Sequence, residues 1–233
     1  MYLESPLQSW GLRSRWDVRD SGDEPSKSGV IGLLGCALGY GVGDPYLQEL
    51  DKSLRMGVRV ERAGRKITDY HTVTGIMRTA DGGLKGSDQD PNTIVSPRTY
   101  LQDAAFLVAL EGDTSVLHSC AEALQNPRWP VYLGRKACVP SRPVFQELTD
   151  AYANMHDALR RYPWLQRSPH DKPPERLRCV LEDDAGGHIR SDKIRVNRAR
   201  MYQNRLVRID WVPCPRVVPA WATDPQPLGA EES

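Results

Sequence analysis

The chain lacks the features that mark secreted, membrane-spanning and zinc-binding proteins. Its five cysteines are an odd, widely spaced set with no C-x-x-C pair, which indicates neither a disulfide framework nor a zinc knuckle. It has no secretory signal and no apolar run of about 18 residues, the length that a membrane-spanning helix needs. We therefore expect a cytoplasmic protein without a metal, a cofactor or a membrane contact.

Phenylalanine is also scarce, and neither sign of charge dominates. Two Phe stand against nine Tyr and six Trp, which favours aromatic side chains that keep a polar end at half-exposed surfaces. The net charge is only +1 at pH 7, so the chain as a whole lacks the positive charge typical of nucleic-acid-binding proteins. Its 233 residues, 39% hydrophobic and 26% charged, suffice for one large domain or two small ones.

The positive charge is unevenly distributed along the chain. Residues 188–216 contain eight Lys or Arg against two acidic residues, and residues 128–142 contain four Lys or Arg and no acidic residue. Two such stretches in a neutral protein indicate local contact with a polyanion. For either stretch alone, a solvated surface is the simpler interpretation.

The clearest local pattern predicts a helix over residues 25–39. Ser26 or Ser28 suits the N-cap, and Gly39 suits a left-handed helix end. Three glycines recur at every third position, Gly29, Gly32 and Gly35. Because each glycine inside a helix costs about 1 kcal/mol relative to alanine, the pattern indicates that another element packs closely against the helix.

The start of this helix also has the chemistry of an anion site. Lys27 lies between Ser26 and Ser28, where free N–H groups and the positive dipole end would suit a phosphodiester. A helix that serves only the core is the alternative. A nucleotide-binding P-loop is disfavoured because Asp23 and Glu24 would repel phosphate and the second glycine before the lysine is missing.

Residues 1–148 predict one α+β domain. The expected elements are a strand end at 1–4, the helix above, strands at 56–62 and 67–73, a long polar excursion at 75–97, a buried strand ending at 110 and a helix at 115–125. With a closing strand near Val144 and Phe145, the order is β-α-β-β-α-β, the ferredoxin-like arrangement that RNA-recognition modules (RRM) share.

The composition changes after residue 148. Residues 149–222 predict a smaller, basic, β-rich C-terminal region with a helix at 149–162, a linker at 161–174 and strands at 177–181 and 205–212. We expect the tail, residues 223–233, to be disordered.

Five segments of the chain resemble, in order and spacing, successive motifs of the fifth family of CRISPR-associated proteins. They read LQSWG at 7–11, PSKSGVIGLL at 25–34, DYHTV at 69–73, RTYLQDA at 98–104 and PVYLGRKACVP at 130–140. The resemblance covers about residues 3–145, is loose past residue 150, and is strongest to the branch found in type I-E Cascade complexes. Members of the family have a short segment before the position that Leu3 occupies here. We therefore expect the first strand to be shortened in this chain.

The resemblance implies a ferredoxin-like, RAMP-type fold with residues 75–97 as a thumb-like hairpin insertion. It implies a non-catalytic Cascade subunit in antiviral defence that binds the 5′ handle of the crRNA and caps the filament of backbone subunits. The implied partners are the crRNA handle, the adjacent backbone subunit and the large PAM-reading subunit, with target DNA contacted only through the complex.

The resemblance also points to the RNA-binding residues. Arg98 matches an arginine at the base of the thumb that contacts the handle, and Lys27 with its two serines matches a helix-start site for handle nucleotides. The complete predicted set is Ser26, Lys27, Ser28, Lys85, Arg98, Tyr100, Arg135 and Lys136. Trp10 and Tyr70 are further candidate platforms for base stacking, with a buried anchor the simpler interpretation of Trp10 and both interpretations open for Tyr70.

Two other functions stay open at this point. In the type I-C branch the family cleaves pre-crRNA without a metal, using a Tyr, a Lys and a His, and Tyr70, His71 and Lys85 supply those residue types here. For His71, a hydrogen-bonded strand histidine is the simpler interpretation. The third possibility is a subunit held by protein contacts, for which RNA is incidental.

Overall fold

Strands outnumber helices in the computed structural model, which describes residues 1–12, 19–79, 81–195 and 201–220. The strands are β1 (Tyr2–Glu4), β2 (Leu7–Gln8), β3 (Leu54–Arg62), β4 (Arg65–Gly75), β5 (Met77–Arg78), β6 (Leu84–Lys85), β7 (Asn92–Gln102), β8 (Ala105–Gly112), β9 (Trp164–Gln166), β10 (Arg176–Glu182), β11 (His188–Arg195), β12 (Met201–Pro213) and β13 (Val217–Pro219). The helices are α1 (Lys27–Leu38), α2 (Pro45–Ser53), α3 (Thr114–Gln125) and α4 (Met155–Arg161). The predicted tail at 223–233 lies outside the described residues.

A six-stranded antiparallel sheet, here called the main sheet, has the order β1-β8-β3-β10-β12-β11. A second antiparallel sheet has the order β2-β7-β4, and β5-β6 and β13-β9 form short pairs. The fold is therefore mixed α/β with antiparallel large sheets. The predicted boundary at residue 148 does not separate two sheets, because β10 pairs with β3 and places Val180 opposite Val58.

The predicted closing strand near Val144 and Phe145 is wrong. The segment does run beside β1: Tyr2 N–H donates to the Val144 carbonyl at 2.8 Å, and Ser141 N–H donates to the Glu4 carbonyl at 2.8 Å. It forms no strand, however. Pro143 lies between these two contacts and has no N–H to give to a ladder.

The ends of α1 form as its sequence predicts. Ser26 accepts a hydrogen bond from Gly29 N–H at 3.3 Å, and Gly39 closes the helix in the left-handed conformation. The expected close packing occurs at two of the three glycines. A Cβ on Gly29 would lie 2.8 Å from the Trp10 ring, and one on Gly35 would lie 2.4 Å from Leu47 Cδ2, whereas Gly32 faces open space.

Strands take up about half of the expected excursion at 75–97. Arms β4 and β7 pair along eleven residues each, from the Arg65–Gln102 pair to the Gly75–Asn92 pair. The short β5-β6 pair continues beyond them. Most of β4 is exposed, so the two arms and β5-β6 form a projecting unit that we call the hairpin.

Hydrophobic cores lie on both faces of the main sheet. The larger packs α1, α2 and α3 against residues such as Val58, Phe106 and Val108, and it includes Trp10 at 1% exposure. Trp10 donates its Nε1–H to Gln8 Oε1 at 3.0 Å, which makes it a buried anchor and not a stacking platform. The smaller core packs α4 on the opposite face.

A buried network of charges joins α1 to the C-terminal strands. The Lys27 ammonium lies 2.9 Å from Glu182 Oε2, and the Lys27 backbone N–H donates to Asp192 Oδ2 at 2.8 Å. Arg205 donates to both oxygens of Asp192, at 2.6 and 3.0 Å. These pairs connect the first helix to β10, β11 and β12, and they place a carboxylate at the positive end of α1.

Asp51 on α2 is a buried carboxyl beside this network. It is 1% exposed, and its Oδ1 has no hydrogen-bond donor. Burial raises the pKa of Asp51 to about 6, although the cationic side chains of Lys27 and Lys193 oppose the shift. The native state therefore holds a proton at Asp51 more tightly than the unfolded chain does.

Replacing Lys27 with methionine is expected to destabilise the fold by about 3–5 kcal/mol, because Glu182 would lose its buried partner. The free energy of unfolding of the full chain, measured by denaturant titration, tests this. Lys52→Met is the matched control, since its ammonium pairs with Glu49 on the surface at 57% exposure, and we expect a change within about 0.5 kcal/mol. Equal losses in the two variants would contradict a structural role for the buried pair.

Asp51→Asn is expected to change the pH dependence of stability. Because the native pKa lies above the unfolded value of 3.8, Asp51 lowers the stability of the wild type as pH rises from about 4 to about 6. The variant should match the wild type near pH 4 and exceed it at pH 7.5, by at most about 3 kcal/mol. Denaturation midpoints of the variant and the wild type, measured across this pH range, test the prediction. Glu49→Gln, an exposed change on the same helix, is the control. Stability profiles of Asp51→Asn and wild type that run parallel with pH would refute the raised pKa.

Candidate nucleic-acid interface

The start of α1 binds an anion, as its chemistry predicts, but the anion is the carboxylate of Asp192. Lys27 is 1% exposed and Ser26 is 3% exposed. Ser28 is half-buried, with its Oγ 3.5 Å from that of Ser26. The structure thus places Lys27 against the protein's own acidic groups and uses Ser26 as the helix cap, so the three predicted RNA-binding residues do not form an open site.

Arg98 lies at the base of the hairpin, on β7. The chain at Arg19 runs beside it: Arg19 N–H donates to the Pro97 carbonyl at 3.0 Å, and Thr99 N–H donates to the Arg19 carbonyl at 2.8 Å. Asp69 is the residue opposite Arg98 on β4, but it lies 2.5 Å from His71 Nε2. Within the described residues, the half-buried Arg98 makes no ion pair and its Nε has no acceptor.

Arg135 is fully engaged with the backbone next to Arg98. Its guanidinium donates to the carbonyls of Thr99 at 3.0 Å, Arg19 at 2.9 Å and Asp20 at 3.3 Å. The same group lies 4.5 Å above the centre of the Tyr100 ring. Tyr100 is 3% exposed. The structure therefore places these two predicted RNA ligands within a packed cluster, where most of the ring is buried and three donors of Arg135 are already used.

Lys136 and Lys85 are the exposed members of the predicted set. Lys136 follows Arg135 directly and makes no ion pair in the described part of the chain. Lys85 lies on β6, opposite Met77 near the outer end of the hairpin. The structure thus places Arg98 at the hairpin base and leaves Lys85 well away from it, while Lys136 is exposed next to Arg135 in the chain.

The three candidate catalytic residues do not converge. Successive residues of a strand point to opposite faces, so Tyr70 and His71 lie on different sides of the hairpin. Tyr70 is 71% exposed, while the His71 ring is half-buried, 6.4 Å from that of Tyr100. Lys85 lies several residues further out than either. No single phosphodiester would contact all three side chains in this arrangement.

Three of the eight cations of the basic C-terminal stretch, all on described strands, are paired within the fold. Arg190 lies 2.6 Å from Glu24, and Arg208 lies 3.1 Å from Asp183. Arg205 is buried in the network at α1. Arg198 and Arg200 lie outside the described residues. For the part that is described, the structure favours internal pairing over a polyanion surface.

The segment at Arg19 is the part of the interface that sequence reasoning missed. Residues 12–24 predict only a polar loop, because Arg19 contributes its backbone N–H and carbonyl and these carry no sequence signal. In the described ranges, no group of three or more His, Cys, Asp or Glu side chains is placed to hold a metal. No described helix is long and apolar enough to cross a membrane.

Comparison with known proteins agrees with the motifs. The model of the CRISPR-associated protein family Cas5 (Cas_Cas5d) matches residues 1–209. The chain is 37% identical over 155 residues to the CRISPR system Cascade subunit CasD of Escherichia coli (strain K12), covering 61% of this chain and 67% of the relative.

Two solved structures are similar along nearly their whole length. One, described as a crystal structure of a Cas protein, has a TM-score of 0.69 at 38% identity and covers 92% of this chain and 96% of its own. The other, a chain of a CRISPR RNA-guided surveillance complex, has a TM-score of 0.74 at 30% identity. The match covers 95% of this chain and 93% of that one. These matches confirm the resemblance, and the chain belongs to the Cas5 family of CRISPR-associated proteins.

Proposed function

We propose that this chain is a subunit of a Cascade surveillance complex and binds the 5′ handle of the crRNA at the base of its hairpin. The names of its relatives support the assembly: one is a Cascade subunit, and another belongs to an RNA-guided surveillance complex. The observation that carries the site is Arg98, a half-buried guanidinium without an ion pair among the described residues. A phosphate oxygen would supply this guanidinium with a charged acceptor.

The electrostatics of the hairpin base suit a short single-stranded RNA. The planar guanidinium of Arg98 matches the geometry of a phosphate group, and the exposed Lys136 ammonium adds a second positive charge. Lys85 extends the positive charge along the hairpin. Tyr70, at 71% exposure, offers an open ring face on which a base stacks. Because phosphate contacts release counterions, handle binding should weaken as salt rises, which a subunit held by protein contacts alone would not show.

The finer fold assignment is part of this proposal. We assign residues 1–148 to a ferredoxin-like, RAMP-type domain with the hairpin as its thumb. The neighbouring strands β1, β8 and β3, with α1 between β1 and β3 and α3 after β8, support the first five elements of that unit. The irregular segment around Val144 occupies the place of the sixth.

The hairpin also carries surface for protein partners. Besides Tyr70, four of its apolar side chains are substantially exposed: Val73, Ile76, Leu84 and Val95. Apolar groups in such number on a projecting element are typical of an interaction surface. We assign this surface to the adjacent backbone subunit, whose filament the chain caps.

The same proposal includes contact with the large PAM-reading subunit, target DNA bound through the complex and a cytoplasmic location.

We further propose that the subunit is not a nuclease. Metal-independent cleavage needs a base at the 2′-hydroxyl and an acid at the leaving oxygen, both within hydrogen-bond reach of one phosphodiester. Tyr70 and His71 face opposite sides of the hairpin, and Lys85 lies near its end. His71 is already beside Asp69 at 2.5 Å.

Arg98→Glu is expected to lower the yield of guide-loaded complex about tenfold or more, because it replaces a charged hydrogen bond to phosphate with repulsion. Copurification of the complex with its RNA, quantified by gel and sequencing, measures this. Arg160→Glu is the control: it is an exposed residue of α4, on the other face of the main sheet. A paired arginine such as Arg62, which lies 3.2 Å from Glu4, would be a poor control because its replacement would also break an ion pair. Equal yields for Arg98→Glu and Arg160→Glu would refute the placement.

Incubation of the purified chain with its own repeat RNA is expected to give no specific cleavage, with or without chelator. Product mapping by denaturing gel tests this. His71→Ala and Tyr70→Phe should leave any background cleavage unchanged. A specific cut that His71→Ala abolishes would establish the endoribonuclease function instead.

A further inference from the structure

We propose that Arg135 is a positioning residue, which fixes the segment at Arg19 against β7 and thereby orients Arg98 for RNA. This inference rests on the proposed handle binding and deepens it. It differs from the sequence prediction, in which Arg135 itself contacts RNA. The distinction matters because the two arginines are chemically identical and lie in one cluster.

The hydrogen bonds of Arg135 commit most of its guanidinium to the protein backbone. It donates to three backbone carbonyls, on Thr99, Arg19 and Asp20, at 2.9 to 3.3 Å. Its guanidinium also covers the buried Tyr100 ring at 4.5 Å. A phosphate would have to displace these acceptors. The planar guanidinium instead suits a residue that holds several fixed oxygen atoms at once.

The residues on both sides of Arg98 are held by this cluster. The Pro97 carbonyl accepts from Arg19 N–H, and Thr99 N–H donates to the Arg19 carbonyl. That Arg19 carbonyl and the Thr99 carbonyl both accept from Arg135 as well. Arg98 therefore projects from a stretch of backbone whose neighbours are fixed on each side, while its own Nε is left without an acceptor.

A lysine at position 135 would keep the positive charge but lose the arrangement. An ammonium is a compact point charge that neither spans three carbonyls in one plane nor stacks on a ring as a guanidinium does. Arg135→Lys thus separates the two roles: a phosphate ligand tolerates the change, and a positioning residue does not.

The experiment has an arm without RNA and an arm with it. In the first, the folded full chain is treated briefly with trypsin, and cleavage after Arg19 is followed by mass spectrometry. Arg135→Lys should speed this cleavage about tenfold relative to the wild type, because backbone paired in a ladder resists proteolysis. Arg98→Ala should not change it. An unchanged rate in Arg135→Lys would overturn the proposed clamp, whether or not the chain binds RNA.

In the second arm, a labelled repeat-derived handle RNA is titrated with each variant over a series of KCl concentrations. Arg98→Ala should weaken binding and reduce the salt slope by about 0.7, the value of one phosphate contact on a single strand. Arg135→Lys and Arg135→Ala should weaken binding similarly to each other, with the wild-type slope. Leu159→Ala, a buried change on the opposite face of the main sheet, controls for general destabilisation and should leave affinity unchanged well below its melting temperature.

The outcomes separate the two proposals. A wild type that binds the handle no better than an unrelated RNA refutes the handle site itself, and the first arm still tests the clamp. Full affinity in Arg135→Lys overturns the positioning role alone. So does a slope that falls in Arg135→Ala as it does in Arg98→Ala, since that result would make Arg135 a phosphate ligand.

Discussion

The docking of the C-terminal strands on the start of α1 is the constraint on which the rest of the structure depends. Lys27, Glu182, Asp192 and Arg205 meet there, with Lys27 and Asp192 separated by 165 residues in the chain, and none is more than about a tenth exposed. Buried charges are tolerated only when every one is paired, so α1 and strands β10 to β12 have a single arrangement relative to one another. The continuity of the main sheet across residue 148 follows from the same docking, because β10 then lies directly beside β3.

This constraint also determines where the protein is left positive. Several cations of the C-terminal region face acidic partners within the fold, as Arg178 and Arg190 do with Glu24. A net charge of +1 gives the chain little overall attraction for RNA at a distance. The unpaired cations of the described residues that suit RNA lie on or beside the hairpin, at Arg98, Lys136 and Lys85. Recognition of a short handle by a few contacts suits that distribution better than non-specific binding does.

Sequence reasoning succeeded where the determining contacts are local. The caps of α1, the strands β3 and β4 with their short turn, and helix α3 all depend on patterns within a dozen residues. It failed where partners are distant. Nothing near Lys27 indicates that Glu182 and Asp192 will cover it, and the closing strand near Val144 was expected from topology without the effect of Pro143. The CRISPR resemblance identified the family correctly, but it carried over residues by position and did not reveal which side chains the fold already uses.

Arg98 and Arg135 make this limit concrete. Both lie in motifs of the family, both are arginines, and both meet Thr99, Arg98 as its neighbour in the chain and Arg135 through its side chain. What distinguishes them is the supply of acceptors: three carbonyls surround Arg135, while the Nε of Arg98 has none. An arginine that holds several fixed carbonyls contributes rigidity, and one that is enclosed but unsatisfied is prepared for an external anion at little further cost in entropy. The fold thus assigns opposite roles to identical residues through the placement of backbone oxygens, which composition and motif spacing do not encode.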